Sequence, residues 1–159
     1  MPAAIGSDPR RLARETALKV LYERELSGQD LDALLDSWRH ERPYRLNDPH
    51  EVVWPALDDE TWAMAEGLAR GTAGRLAEID PLIVTQAEHW RLERMPVVDR
   101  LILRLAVFEF LASPETPRAV VINEALELAR TFSTEPAVKF VNGVLDGLSR
   151  VLPAAPEAG

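Results

Sequence analysis

Four residues near the start of the chain have types and spacing that suit binding to a polyanion. At about 100° per residue, Arg11, Arg14, Lys19 and Tyr22 fall in one helical arc roughly 140° wide. Three cations there would hold phosphates and the ring would offer a stacking platform, a combination that suits single-stranded RNA. The competing reading is a solvated amphipathic helix with Tyr22 packed at its edge. The chain has only two lysines, Lys19 and Lys139, and Lys139 adjoins Phe140, which lies off the centre of a buried stripe. Were the first and last helices neighbours, Arg11, Arg14, Lys19, Tyr22, Lys139 and Phe140 would make one basic and aromatic patch. Spacing alone does not show that adjacency.

Two asparagines interrupt apolar runs, Asn123 in VVINEALELA and Asn142 in KFVNGVLDG. Asparagine is a poor helix former, so each asks for a reason. Asn123 reads as structural, a hydrogen bond that fixes how the last two helices meet. Asn142, beside Lys139 and Phe140, is open to either a structural or a ligand-binding reading. Enzyme signatures are absent: no GxxxxGK[ST] phosphate loop and no GxSxG elbow. His40, His50 and His89 have no metal-ligand spacing. Glu124 and Glu127, three apart, read as a solvated face. No cofactor is expected.

The 159 residues fit a single domain over 1–159, and 47% hydrophobic content suffices for a core. Cysteine is absent, which removes disulfides and thiolate sites and fits a reducing, cytoplasmic setting. The opening MPAAIGSDPRR does not read as a signal peptide, and no apolar run approaches the roughly 20 residues of a membrane span. The net charge of −8 by itself argues against nucleic acid. Its distribution qualifies that: residues 1–24 hold five bases against three acids, and residues 25–99 seven against sixteen. The acidic middle would attract a basic partner.

The apolar spacing is helical almost throughout, so the expected class is all-α. A first helix starts at Ser7-Asp8-Pro9 and stops at Ser27-Gly28, burying Ala13, Ala17, Val20 and Leu21. A second, from about Asp30 to Arg42, buries Leu31, Leu34, Leu35 and Trp38. Residues 43–59, with three prolines, read as a long loop. A third helix runs from about Asp59 to Glu78, and its Gly67, Gly71 and Gly74 suggest tight helix–helix contact. A fourth starts at Asp80-Pro81 and ends near Trp90. A fifth starts at Met95-Pro96 and ends at Ser113-Pro114; it is apolar over most of its circumference and therefore central. A sixth follows Thr116-Pro117. A seventh follows Thr134-Glu135-Pro136 and buries Ala137, Val141, Val144, Leu145 and Leu148. The expected helical core is 7–152, and 153–159 reads as a disordered tail.

Three blocks resemble the family of the bacterial transcription antitermination factor NusB: RRLARETALKVLYERELSG, WRLERMPVVDRLILRLAVFEFL and VVINEALELARTFSTEPAVKFVNGVLD. They cover about half the chain, and INEA followed by KFVNGVLD is the most specific. The resemblance implies a compact bundle of about seven helices in two small subdomains. It implies no catalysis but pairing with the ribosomal protein NusE, binding of boxA-type single-stranded RNA during rRNA transcription, and assembly with RNA polymerase. It also admits a homodimer. By the same resemblance Arg10, Arg11 and Arg14 contact phosphates, Tyr22 and Phe140 stack on bases with Lys139 and Asn142 nearby, and Glu93 and Asp99 face NusE. Leu12 and Pro136 depart from the family pattern, and the loop at 43–59 is longer than its norm. A protein-binding adaptor without RNA, or a stand-alone rRNA-targeting domain, are the alternatives.

Overall fold

The computed structural model describes residues 8–40, 57–88 and 90–153. His50, His89, most of the expected loop at 43–59 and the chain beyond Pro153 lie outside them. Among the described residues there are seven α-helices and no strand: α1 (Pro9–Ser27), α2 (Leu31–His40), α3 (Asp59–Gly74), α4 (Leu76–Gln86), α5 (Val97–Ala112), α6 (Arg118–Phe132) and α7 (Glu135–Val151). The chain divides into two compact units, Met1–Arg70 and Gly71–Gly159.

In the first unit, helix ends follow from local chemistry. The Asp8 carboxylate accepts from the Arg10 N–H at 2.8 Å, and Pro9 takes the first helical position, where its missing N–H costs nothing. Gly28 ends α1 at φ 68°, a left-handed conformation that favours glycine, and its N–H returns to the Arg24 carbonyl at 2.9 Å. Asp30 caps α2 through the Ala33 N–H, as its position predicts. Leu34 and Leu35 are buried, whereas Leu31 and Trp38 are half-buried. The Trp38 indole donates to Glu23 of α1 at 2.7 Å, so its polar edge is satisfied. Asp58 starts α3 by accepting from the Thr61 N–H at 2.7 Å. α1 is buried at every position from Ala13 to Leu18, more than one full turn, so its burial is not confined to a stripe.

The second unit is built on α5. Leu101, Ile102, Leu103, Leu105, Ala106, Val107 and Phe110 are buried along it, as its apolar circumference predicts. α6 and α7 pack on it and on each other. The buried residues of α7 (Ala137, Val141, Val144, Leu145, Leu148) are those expected.

Two helix starts differ from the sequence reading. The break expected between Glu78 and Asp80-Pro81 falls earlier, at Arg75, and Pro81 lies inside α4. Gly74 is a poor helix former, and the Arg75 carbonyl at once accepts from Glu78 and Ile79, starting a new helix. Asp80 is no cap. Its two carboxylate oxygens take the Nε and Nη2 of the buried Arg104, each at 2.9 Å, a bidentate pair within the second unit. Pro96 occupies the cap position itself, one residue before α5, whereas α6 follows Pro117 as expected. A single 3-10 turn, Leu92–Arg94, joins α4 to α5.

Only one of the three glycines has a neighbour in the space a side chain would take. A Cβ on Gly71 would run into the tip of the half-buried Phe108 ring, which occupies the space a side chain would need. Gly67 and Gly74 face open space.

Candidate nucleic-acid interface

The expected residues of α1 do not share one exposed face. Arg10 is exposed, and Arg11, Lys19 and Tyr22 are half-buried. Arg14 retains only 5% exposure. Grouping it with Arg11 on a helical wheel presumes a helix wet on one side, and the burial from Ala13 to Leu18 removes that side. Burial also acts on Lys19. Desolvation lowers its pKa from 10.5 to about 8, against the raising influence of Glu15 one turn earlier.

In the second unit, α7 presents a different arrangement. Thr134 caps it by accepting from the Ala137 N–H at 3.2 Å, and Pro136 sits in its first turn. Lys139 and Asn142 are exposed, and Phe140 is half-buried. Neither Asn142 nor Asn123, also exposed, makes a side-chain hydrogen bond among the described residues. Asn123 therefore does not fix the α6–α7 junction. That work falls to Asp99. Its carboxylate, 5% exposed, accepts from the Ser133 hydroxyl at 2.5 Å, at the corner between α6 and α7. The resemblance sets Asp99 against a basic partner; its burial assigns it instead to positioning α7. Glu93 is exposed in the 3-10 turn.

Trp90 is not among the residues that sequence spacing singles out. It lies just beyond α4, 54% exposed, with its ring edge-on to Phe140 at 6.1 Å and 65°. A signal exists in the sequence: a tryptophan after the last helical repeat of α4 has no stripe to join. His40 pairs with Asp36 at 3.6 Å, Glu127 pairs with Arg130 as a solvated ion pair, and no metal-binding cluster occurs among the described residues.

The geometry matches a known fold over nearly its whole length. The model of the NusB family matches residues 11–150. The chain belongs to the NusB family. The transcription antitermination protein NusB of Koribacter versatilis is 42% identical over 150 residues, covering 94% of each chain. NusB of Solibacter usitatus is 44% identical over 144 residues, covering 91% of this chain and 90% of the relative. Among solved structures, NusB of T. maritima superposes with a TM-score of 0.77 at 34% identity, covering 94% of this chain and 95% of that one. A structure of the antitermination factors NusB and NusE in complex with double-stranded RNA gives a TM-score of 0.73 at 28% identity, covering 91% and 98%. The seven helices are thus those of a NusB fold, and membership of a family of antitermination proteins agrees with the lack of enzyme motifs. No helix among the described residues is long and apolar enough to cross a membrane.

Proposed function

We propose that this chain is an RNA-binding transcription antitermination factor that pairs with the ribosomal protein NusE and binds boxA-type single-stranded RNA during rRNA transcription in the cytoplasm. The observation that carries this reading is the family match over residues 11–150, together with the similarity to a NusB solved with NusE and RNA. Within each unit, chemistry suited to RNA is available. Arg10, Arg11, Lys19 and Tyr22 of α1 supply phosphate contacts and a ring. Lys139, Phe140 and Asn142 of α7 supply a cation, a ring and an amide with no hydrogen bond made among the described residues. Arg14 and Asp99 are buried, and Glu93, exposed, is the one of the two expected acidic groups left to meet a basic partner such as NusE. Assembly with the RNA polymerase complex and self-association into a homodimer belong to the same reading.

The test is a titration of boxA RNA against the chain with and without NusE. Binding that tightens when NusE is present is the expected result. An adaptor that grips only a basic protein, the reading the charge of −8 favours, would bind NusE and show no RNA contribution in either arm.

A further inference from the structure

Trp90 is a large apolar side chain more than half in water, and its placement is not accidental to the fold. The end of α4 is anchored on α7: the Gln86 side-chain amide fills the space that a Cβ on Gly147 would take. The Trp90 backbone N–H then donates to the Ala87 carbonyl at 2.9 Å, turning the chain so that the indole meets the Phe140 ring edge-on. The pair leaves Trp90 more than half exposed. Beside the pair, α7 carries Gly143. By the helical repeat of about 100° per residue, Gly143 lies between Lys139 and Phe140, with Asn142 on the far flank of Lys139. A helix interior disfavours glycine by about 1 kcal/mol. A Cβ on Gly143 would meet nothing within 4 Å, so packing does not require its absence. Two features thus cost the fold more than packing requires: an indole left 54% exposed and a bare helix position next to it. A flat, planar ligand approaching α7 explains both.

We infer that Trp90 is an RNA-contacting residue: its indole and the Phe140 ring form a two-ring seat for one unpaired base, and Gly143 is the notch through which the attached ribose and phosphate reach Lys139. This inference rests on the RNA-binding reading above and deepens it. Every base has a π-face, so the seat holds a base by stacking without reading its edge, and Asn142 is the neighbour able to read one. The crossed rings also explain why Phe140 is only half-buried: its edge supports the indole and its remaining surface stays available.

The test uses the full chain with NusE and a fluorescently labelled boxA oligonucleotide. Trp90→Ala weakens binding by about tenfold, the scale of one stacked base. Trp90→Phe restores most of it. Unlabelled RNA quenches the intrinsic tryptophan fluorescence of the native chain, and Trp90→Phe abolishes that quenching. Gly143→Ala raises the unfolding midpoint while weakening RNA several-fold, which separates binding from folding even if Trp90→Ala were to unfold. Native chain that binds no RNA sinks the functional reading itself. Native chain that binds, with Trp90→Ala and Gly143→Ala binding equally well, leaves that reading standing and overturns the seat. Loss of NusE affinity in Trp90→Ala without RNA present also overturns it, since the indole would then belong to a protein contact.

Discussion

Burial around Lys19 disfavours its ammonium form, so its charge is lost as the pH rises through about 8. If that ammonium meets a phosphate, RNA affinity falls between pH 7 and pH 9, and Lys19→Arg removes most of the fall because a guanidinium stays charged. A binding series across that range decides it; parallel curves for the two proteins would remove Lys19 from the interface. The same shift bears on stability. The folded pKa lies below the unfolded one, so holding the charge weakens the fold fully below pH 8, and the cost is relieved as the pH rises to 10.5. Lys19→Met is therefore stabilising at pH 7, with a gain that shrinks toward pH 10. Tyr22→Ala and Phe140→Ala each weaken RNA binding by roughly 1–3 kcal/mol and leave the helical circular dichroism intact. Loss of the helical signal would mark that ring as core. At this scale the sequence reveals types better than environments. Phe140, Lys139 and Asn142 stand where their spacing puts them. Arg14 and Asp99 do not face water, because helical spacing cannot show how much of a helix is covered.

The elements are legible where a signal is local. Asp8-Pro9, Ser27-Gly28 and Thr134 act within a turn of themselves, and α1 begins and ends, and α7 begins, where those residues indicate. The α3–α4 break is misplaced by sequence because Asp80-Pro81 carries the local signature of a helix start while Asp80 answers to Arg104, 24 residues away. That partnership has a measurable consequence. Asp80→Ala leaves the Arg104 guanidinium buried without its bidentate acceptor and costs about 2–3 kcal/mol in urea unfolding. A midpoint unchanged from the native protein would show the pair to be incidental. The glycines of α3 differ in the same way. Gly71→Ala drives a Cβ into the Phe108 ring and costs about 1–3 kcal/mol despite the better helix former. Gly67→Ala, facing open space, gains about 0.5–1 kcal/mol. Equal effects at the two positions would refute the contact with Phe108.

For the whole molecule, the helical class follows from apolar periodicity, and the placing of α5 at the centre of its unit from an apolar circumference. Charge is a poorer guide. The net −8 speaks against RNA, yet affinity for a polyanion depends on where the few cations stand. Each phosphate that a cation ceases to neutralise lowers the salt dependence of binding by about one unit of log–log slope. Arg11→Ala, at a half-buried cation of α1, flattens that slope, and an unaltered slope would place Arg11 away from the backbone. Arg14→Ala acts differently: buried as it is, its removal is read first as reduced stability. The exposed Trp90 escapes a sequence reading because only the fold sets it against Phe140.

Arg118, the first residue of α6, reaches the end of α7. Its guanidinium donates to the carbonyls of Ser149 at 2.7 Å, Leu152 at 3.0 Å and Pro153, and lies 5.9 Å from the Phe110 ring centre. Helix ends ordinarily fray, since their last carbonyls have only solvent to bond. Here one side chain acts as a non-covalent cross-link that closes a loop of about 35 residues. The last turn of α7 therefore opens with the α6–α7 pair rather than before it. Hydrogen exchange would register this as slow amides from Leu148 to Leu152 in the native chain, and as fast ones there alone, α5 unaffected, once Arg118 is replaced by alanine.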